Sequence, residues 1–149
     1  KSRSRGLGDV YKRQLINEDS IDEVSSLATS GDRSEVDVLI DDVVSGIDIL
    51  KPNLSAANFA KVSRNKYRKE DIAKALTNMI GEIIGTVAFS NAFIFQKAEV
   101  FFIGRTFLEP NIKAAINERL SIAGIKGIYS DSSGKENCIG ILDFLEENN

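Results

Sequence analysis

The chain has 149 residues, 19 basic and 22 acidic side chains, a net charge of −3, no histidine and one cysteine. The lack of histidine removes the commonest general base and the commonest metal ligand, and the lone Cys138 excludes an intramolecular disulfide or a cysteine-cluster zinc site and fits a reducing compartment. The mildly acidic balance gives no reason to expect nucleic acid, and the length allows one domain with a modest core.

Charge is unevenly placed. Lys1 to Gln14 carries five basic residues against one acidic, a net of +4, and leaves −7 on the remainder. One reading is a basic arm for an anionic surface. The other, preferred here, is that GLGDVYKRQ resembles a translated linker from the end of an assembled gene fragment, so that 1–14 is non-native and 15–149 is the protein proper.

From Leu15 the pattern is that of a folded protein. Ser20 and Glu23 form an S-x-x-E capping box, with Ile21, Val24, Leu27 and Ala28 on one helical face and Gly31 placed to end the helix. Val36, Val38, Ile40 and, less regularly, Val43 and Val44 predict one or two short strands. Gly46 to Asn53 reads as a loop. Leu54 to Val62 reads as a short helical or irregular turn packed through Leu54, Phe59 and Val62.

A long helix is predicted from Glu70 to about Gln96, with Ile72, Leu76, Met79, Ile80, Ile83, Ile84 and Val87 at helical spacing. Glu70 and Asp71 complement its positive start. Gly81, Gly85, Ala88 and Ala92 form a second stripe of small residues. Each glycine costs about 1 kcal/mol relative to alanine in a helix, so another backbone is expected to approach closely: the chain's own sheet, or the helix of a second subunit. The strongly apolar stretch Ile83 to Phe95 is short for a bilayer span and broken by Thr86, Ser90 and Asn91, and no signal-peptide pattern opens the chain, so no membrane is expected.

Val100, Phe101, Phe102 and Ile103 form a continuous apolar run that suits a strand buried on both faces. Gly104 ends it, and Pro110 sits where the first helical turn tolerates proline, ahead of a helix from Ile112 to Leu120. A strand–glycine–helix junction lies at the carboxyl edge of an open α/β sheet, where ligands bind. Glycine allows close backbone approach, and free N–H groups at a helix start favour anions. An ordinary βα turn without a ligand fits the local pattern too. Gly124 ends the helix, Lys126 to Ser130 predicts a last strand, Asp131 to Gly134 a polar loop, and Asn137 to Glu147 a final helix with Cys138, Ile141, Leu142 and Leu145 inward. Two parallel strands are too few for an independent sheet, so the chain reads as the C-terminal piece of a larger α/β protein.

In order, SGDRSEVDV, PNLSAANFAKV, the long helix, VFFIGRTF and a last glycine-containing helix resemble the type II pantothenate kinase family over roughly Leu15 to Leu145. The resemblance implies an incomplete C-terminal lobe of a ribonuclease-H-like kinase of the actin and hexokinase type, α/β, helix-rich, with few strands. It implies ATP and Mg²⁺, phosphorylation of pantothenate at its terminal hydroxyl on the way to coenzyme A, a cytoplasmic homodimer, and neither nucleic acid nor membrane as partner. The family's Asp-Gly-Gly-Thr loop, catalytic glutamate and Gly-Gly-Gly-Thr turn have no counterpart here, so no catalytic or metal residue is assigned and the polypeptide alone is expected to be inactive.

Gly104 matches the glycine that approaches the nucleotide. Arg105 stands where a small polar residue contacts ATP. Leu120 stands near an aromatic residue that reaches a partner's pantothenate site in family dimers. Ala60 replaces a glycine after Phe59, and Gly140 alone survives of the two glycines that open the family's last helix. Two alternatives stay open: a same-fold kinase for another small alcohol, and a non-catalytic relative that serves as a dimerisation or interaction lobe.

Overall fold

The computed structural model describes residues 20–44, 52–62, 67–130 and 135. The segment Lys1 to Gln14, the loop from Gly46 to Lys51, the polar loop at Asp131 to Gly134 and the final helix expected at Asn137 to Glu147 lie outside the described residues. The chain divides into two compact units, Lys1–Met79 and Ile80–Asn149.

In the first unit, helix α1 spans Ile21–Ser30 and starts at Ser20, whose hydroxyl accepts the Asp22 N–H at 3.1 Å. The cap therefore forms at the second helical residue, and not as the reciprocal box with Glu23. Val24 and Ala28 are fully buried as their spacing predicts. Gly31 ends α1 with extended backbone, φ −84° and ψ 155°. Its reason for being glycine is proximity: a Cβ there would run into the Glu70 carbonyl.

A 3-10 turn, Arg33–Glu35, leads to strand β1, Val38–Leu39, helix α2, Ile40–Val43, and strand β2, Ser55–Ala57. β1 and β2 are antiparallel, pairing Val38 with Ala57 and Leu39 with Ser55. Of the one or two short strands that the alternating valines predict, one forms at Val38–Leu39, and Ile40–Val43 is helical instead. The Leu39 N–H bonds the Asp42 carboxylate at 2.9 Å, which turns the chain into α2 and leaves Val43 exposed. Of the two readings of Leu54 to Val62, a short helix or an irregular turn, the structure takes the irregular one. It gives β2 and then a turn in which Phe59 takes φ 56°. Buried Asp37 holds that conformation by accepting the Phe59 N–H at 2.8 Å, and Arg33 reaches the same carboxylate at 3.6 Å and the Ser55 hydroxyl at 2.8 Å.

Helix α3 spans Lys69–Ile94. Its first part belongs to the first unit, where Ile72, Ala73, Ala75 and Leu76 are buried. There the Asp71 carboxylate accepts from the Asp32 N–H at 2.9 Å and from the Arg68 guanidinium at 2.7 Å. Arg68 is the main cause that holds the Asp71 carboxyl below the usual carboxylate range. Lys61 does the same for Asp42 from 2.7 Å. By length and composition α3 is long and apolar enough to cross a membrane, and half of its most apolar stretch is buried in this fold.

In the second unit, α3 from Ile80 onward is followed by strand β3, Glu99–Phe102, a 3-10 turn, Thr106–Leu108, helix α4, Pro110–Ser121, and strand β4, Lys126–Tyr129. β3 and β4 are parallel in register Glu99–Lys126 through Phe102–Tyr129. Gln96, at φ 52°, ends α3, and Gly124, at φ 66°, ends α4, where the Ile125 N–H reaches back to the Leu120 carbonyl at 3.1 Å. The core consists of Ala92, Phe107, Ile112, Ile116, Leu120 and Ile125, with Ile84, Val100 and Phe102 packed on it.

Gly81 and Gly85 of the small-residue stripe meet α4. A Cβ on Gly81 would sit 2.6 Å from both the Ala115 Cβ and the Ile112 carbonyl oxygen, and one on Gly85 2.8 Å from the Arg119 Cβ. Arg119 and Glu82 pair at 3.3 Å across the same crossing. β3 is not buried on both faces. Val100 and Phe102 turn to the core, while Phe101 is 71% and Ile103 59% exposed. Among the described residues the helices cover one face of this pair, so alternate side chains on β3 are left bare.

Candidate functional site

The carboxyl ends of β3 and β4 and the start of α4 define the candidate site. Phe102 lies opposite Tyr129 in the parallel register, and their rings stack at 5.0 Å between centroids. Phe107, buried in the 3-10 turn, tilts against Tyr129 at 5.4 Å. Lys113, in the first turn of α4, holds its ammonium over the Tyr129 ring, 4.4 Å from the centroid. The Tyr129 hydroxyl donates to the Asn117 side-chain oxygen at 2.7 Å, and burial pushes its pKa up to about 12. It stays a neutral donor at any physiological pH.

Gly104 follows at φ 108°, a backbone conformation open to glycine and strained for an L side chain. No atom lies within 4 Å of where its Cβ would be. Gly104 is thus required by the turn itself, and its outer side is open. Arg105 is exposed, with backbone at φ −96° and ψ −22°, and its carbonyl accepts the Leu108 N–H at 3.1 Å. Gly104 and Arg105 therefore share one turn, as the sequence predicts.

Leu120 is elsewhere. It is 0% exposed, on the α4 stripe with Ile112 and Ile116, and its side chain fills the core. The helical spacing that marks it as apolar also turns it inward. Gly140 lies outside the described residues.

The start of α4 differs from expectation in one respect that decides its chemistry. Glu109, 7% exposed, is the N-cap. Its carboxylate accepts the Ile112 N–H at 2.6 Å and the Asn111 side-chain amide at 2.8 Å. The helix start is therefore capped by an acidic side chain. The signal was present in the sequence, since an acceptor directly before a first-turn proline is an N-cap pattern. It is missed because glutamate is not among the favoured capping residues.

Among the described residues no group of three carboxylate, cysteine or histidine side chains could hold a metal ion.

A family model described as Fumble matches residues 9–123. The match begins inside the segment read as linker-derived. A protein named pantothenate kinase 2 from Arabidopsis thaliana is 38% identical over 108 residues, covering 66% of this chain and 12% of the relative. A type II pantothenate kinase from Oceanobacillus iheyensis is 32% identical over 103 residues, covering 68% of this chain and 38% of the relative. Another from Staphylococcus epidermidis is 25% identical over 143 residues, covering 93% and 52%. The chain thus spans about half the length of these relatives or less.

Proposed function

Because the chain belongs to the Fumble family, the type II pantothenate kinases, we propose that it forms part of an enzyme that moves the γ-phosphoryl group of ATP to the terminal hydroxyl of pantothenate. The reading rests on the family match across residues 9–123, which contains the Gly104–Arg105 turn. In this reading the two described units are parts of the C-terminal lobe of a ribonuclease-H-like kinase. Gly104 admits the adenosine end of ATP to the backbone at the carboxyl edge of β3, which its open outer side supports. Arg105 stands at the nucleotide's rim. Full activity belongs to the whole cytoplasmic enzyme, acting as a homodimer with Mg²⁺ and ATP.

Phosphoryl transfer consists largely of positioning phosphates, metal and an oriented nucleophile. The sequence contains neither Asp-Gly-Gly-Thr nor Gly-Gly-Gly-Thr. The polypeptide alone should therefore give no pantothenate-dependent ADP. Mixed with the family's phosphate-loop portion, supplied as a separate polypeptide, it should. Turnover by the pure chain, lost on mutating one of its own residues, would overturn the division of labour. Association without turnover would favour the non-catalytic reading.

A further inference from the structure

A glycine has many backbone conformations open to it, and the outer side of Gly104 touches nothing within 4 Å of where a Cβ would stand. The turn keeps one shape only if its flanks are fixed from the inner side, and one side chain reaches both of them. Phe102 lies two residues before Gly104, and Phe107 lies two residues after Arg105. The parallel register sets Phe102 beside Tyr129, and their rings stack at 5.0 Å with 14° between the planes. Phe107 tilts onto the same Tyr129 ring at 5.4 Å and 53°. Such ring pairs attract one another beyond the area that they bury. The backbone adds to the grip, since the Ser130 N–H donates to the Phe102 carbonyl at 3.1 Å.

Tyr129 is itself held. Its hydroxyl donates to the Asn117 side-chain oxygen at 2.7 Å, and the Lys113 ammonium stands 4.4 Å from its ring centroid. Lys113 and Asn117 are four residues apart and so share one face of α4. Gly127 precedes Tyr129 by two residues on the same face of β4. A Cβ there would stand 3.0 Å from both the Asn117 oxygen and the Tyr129 hydroxyl, so the glycine leaves room for that hydrogen bond. We propose that Tyr129 is a positioning residue that holds the Gly104–Arg105 turn in the shape that receives the nucleotide, by gripping Phe102 and Phe107 with one ring. The proposal rests on the nucleotide reading of Gly104, yet the shape of the turn is measured without ligand. A ligand that needs one shape of the turn binds in proportion to the time the turn spends in it.

The test uses the ¹⁵N-labelled full chain and compares Tyr129→Leu, which removes the ring, with Tyr129→Phe, which keeps the ring and loses only the bond to Asn117. Without ligand, the order parameters of the Gly104 and Arg105 amides should fall in Tyr129→Leu from about 0.85 to below about 0.6. Tyr129→Phe should leave them as in the natural chain. Gly124, whose φ of 66° is also positive but which follows α4, is the internal control and should stay unchanged in both. If Tyr129→Leu fails to fold, Phe107→Leu removes one of the gripped rings with Tyr129 in place and should loosen the same two amides. A turn as ordered without the ring as with it, a loss of order shared equally by Gly124, or a Tyr129→Phe variant as loose as Tyr129→Leu would overturn the proposal. In a second arm, ATP is titrated against the Gly104 amide. Tyr129→Leu should weaken it by about three- to tenfold and Tyr129→Phe by no more than about twofold, in step with the loss of the receiving shape. Equal ATP affinity in Tyr129→Leu and the natural chain would also overturn it. If ATP does not move Gly104 in the natural chain, the nucleotide reading fails, and the order parameters still decide whether Tyr129 holds the turn.

Discussion

Two residues show how a single backbone or charge constraint sets function or stability. Gly104, at φ 108°, combines a conformational demand with an open outer side. Gly104→Val should abolish nucleotide binding, because the branched side chain fills the approach. It should also cost about 1–3 kcal/mol in thermal or urea unfolding, because the conformation is strained for any side chain. A valine variant that binds nucleotide normally would remove Gly104 from the site. Asp71 is the electrostatic counterpart in the first unit. Its carboxyl is held low chiefly by the Arg68 guanidinium, then by the Asp32 and Arg68 N–H groups. A depressed folded pKa contributes stability that is fully present above the ordinary value of 3.8 and is lost as pH falls through the lower folded value. Asp71→Asn should therefore cost about 1–2 kcal/mol at pH 7 and flatten the acid limb of a stability–pH curve. An unchanged acid limb would show that other carboxylates govern it.

Among the elements, the crossing of α3 and α4 is the best-defined packing event. Glycine is a poor helix former, so Gly81→Ala in an isolated α3 peptide should raise helicity by about 1 kcal/mol. In the folded chain the new Cβ would press on the Ile112 carbonyl and the Ala115 methyl, both at 2.6 Å. There the same substitution should destabilise by about 1–3 kcal/mol, the usual cost of overpacking. Chemical denaturation of the protein beside circular dichroism of the peptide reads both signs. Stabilisation in both would mean that the helices do not approach so closely. The sequence showed that something had to come near these glycines. It could not name the partner, because a stripe of small residues is compatible with a sheet, a helix or a second subunit. Only the placement of Ile112, Ala115 and Arg119 on the facing side of α4 decides among them. β1 has a similar explanation. Alternation at Val36, Val38 and Ile40 was legible, whereas its termination by the Asp42 side chain was a tertiary and local hydrogen-bonding outcome.

For the whole molecule, the apolar surface left bare is the feature with the largest consequence. Ile83, Val87 and Ile94 lie along one side of α3 at spacings of four and seven, each more than half exposed, and Phe101 and Ile103 line the uncovered side of β3. If the rest of a kinase lobe covers such a surface, burying 400 Å² would contribute about 10 kcal/mol before the costs of association. Ile83→Lys with Val87→Lys should then leave the unfolding of this chain within about 0.5 kcal/mol of its starting value, yet weaken capture of the phosphate-loop portion by an order of magnitude or more in a pull-down or calorimetric titration. Unweakened capture would place the contact elsewhere. By itself the sequence determined the helices at α1, α3 and α4, the parallel pair near the end, the glycine at the strand–helix junction, and membership of a kinase family. Periodicity, end signals and motif order are local properties, and they survive without a fold. The tertiary structure decided that Leu120 is core, that β3 is covered on one face, and that Gly31, Gly81 and Gly85 are glycines of contact. Each of these depends on which groups from distant or neighbouring segments occupy the same few ångströms, and a linear pattern of residue types does not carry that information.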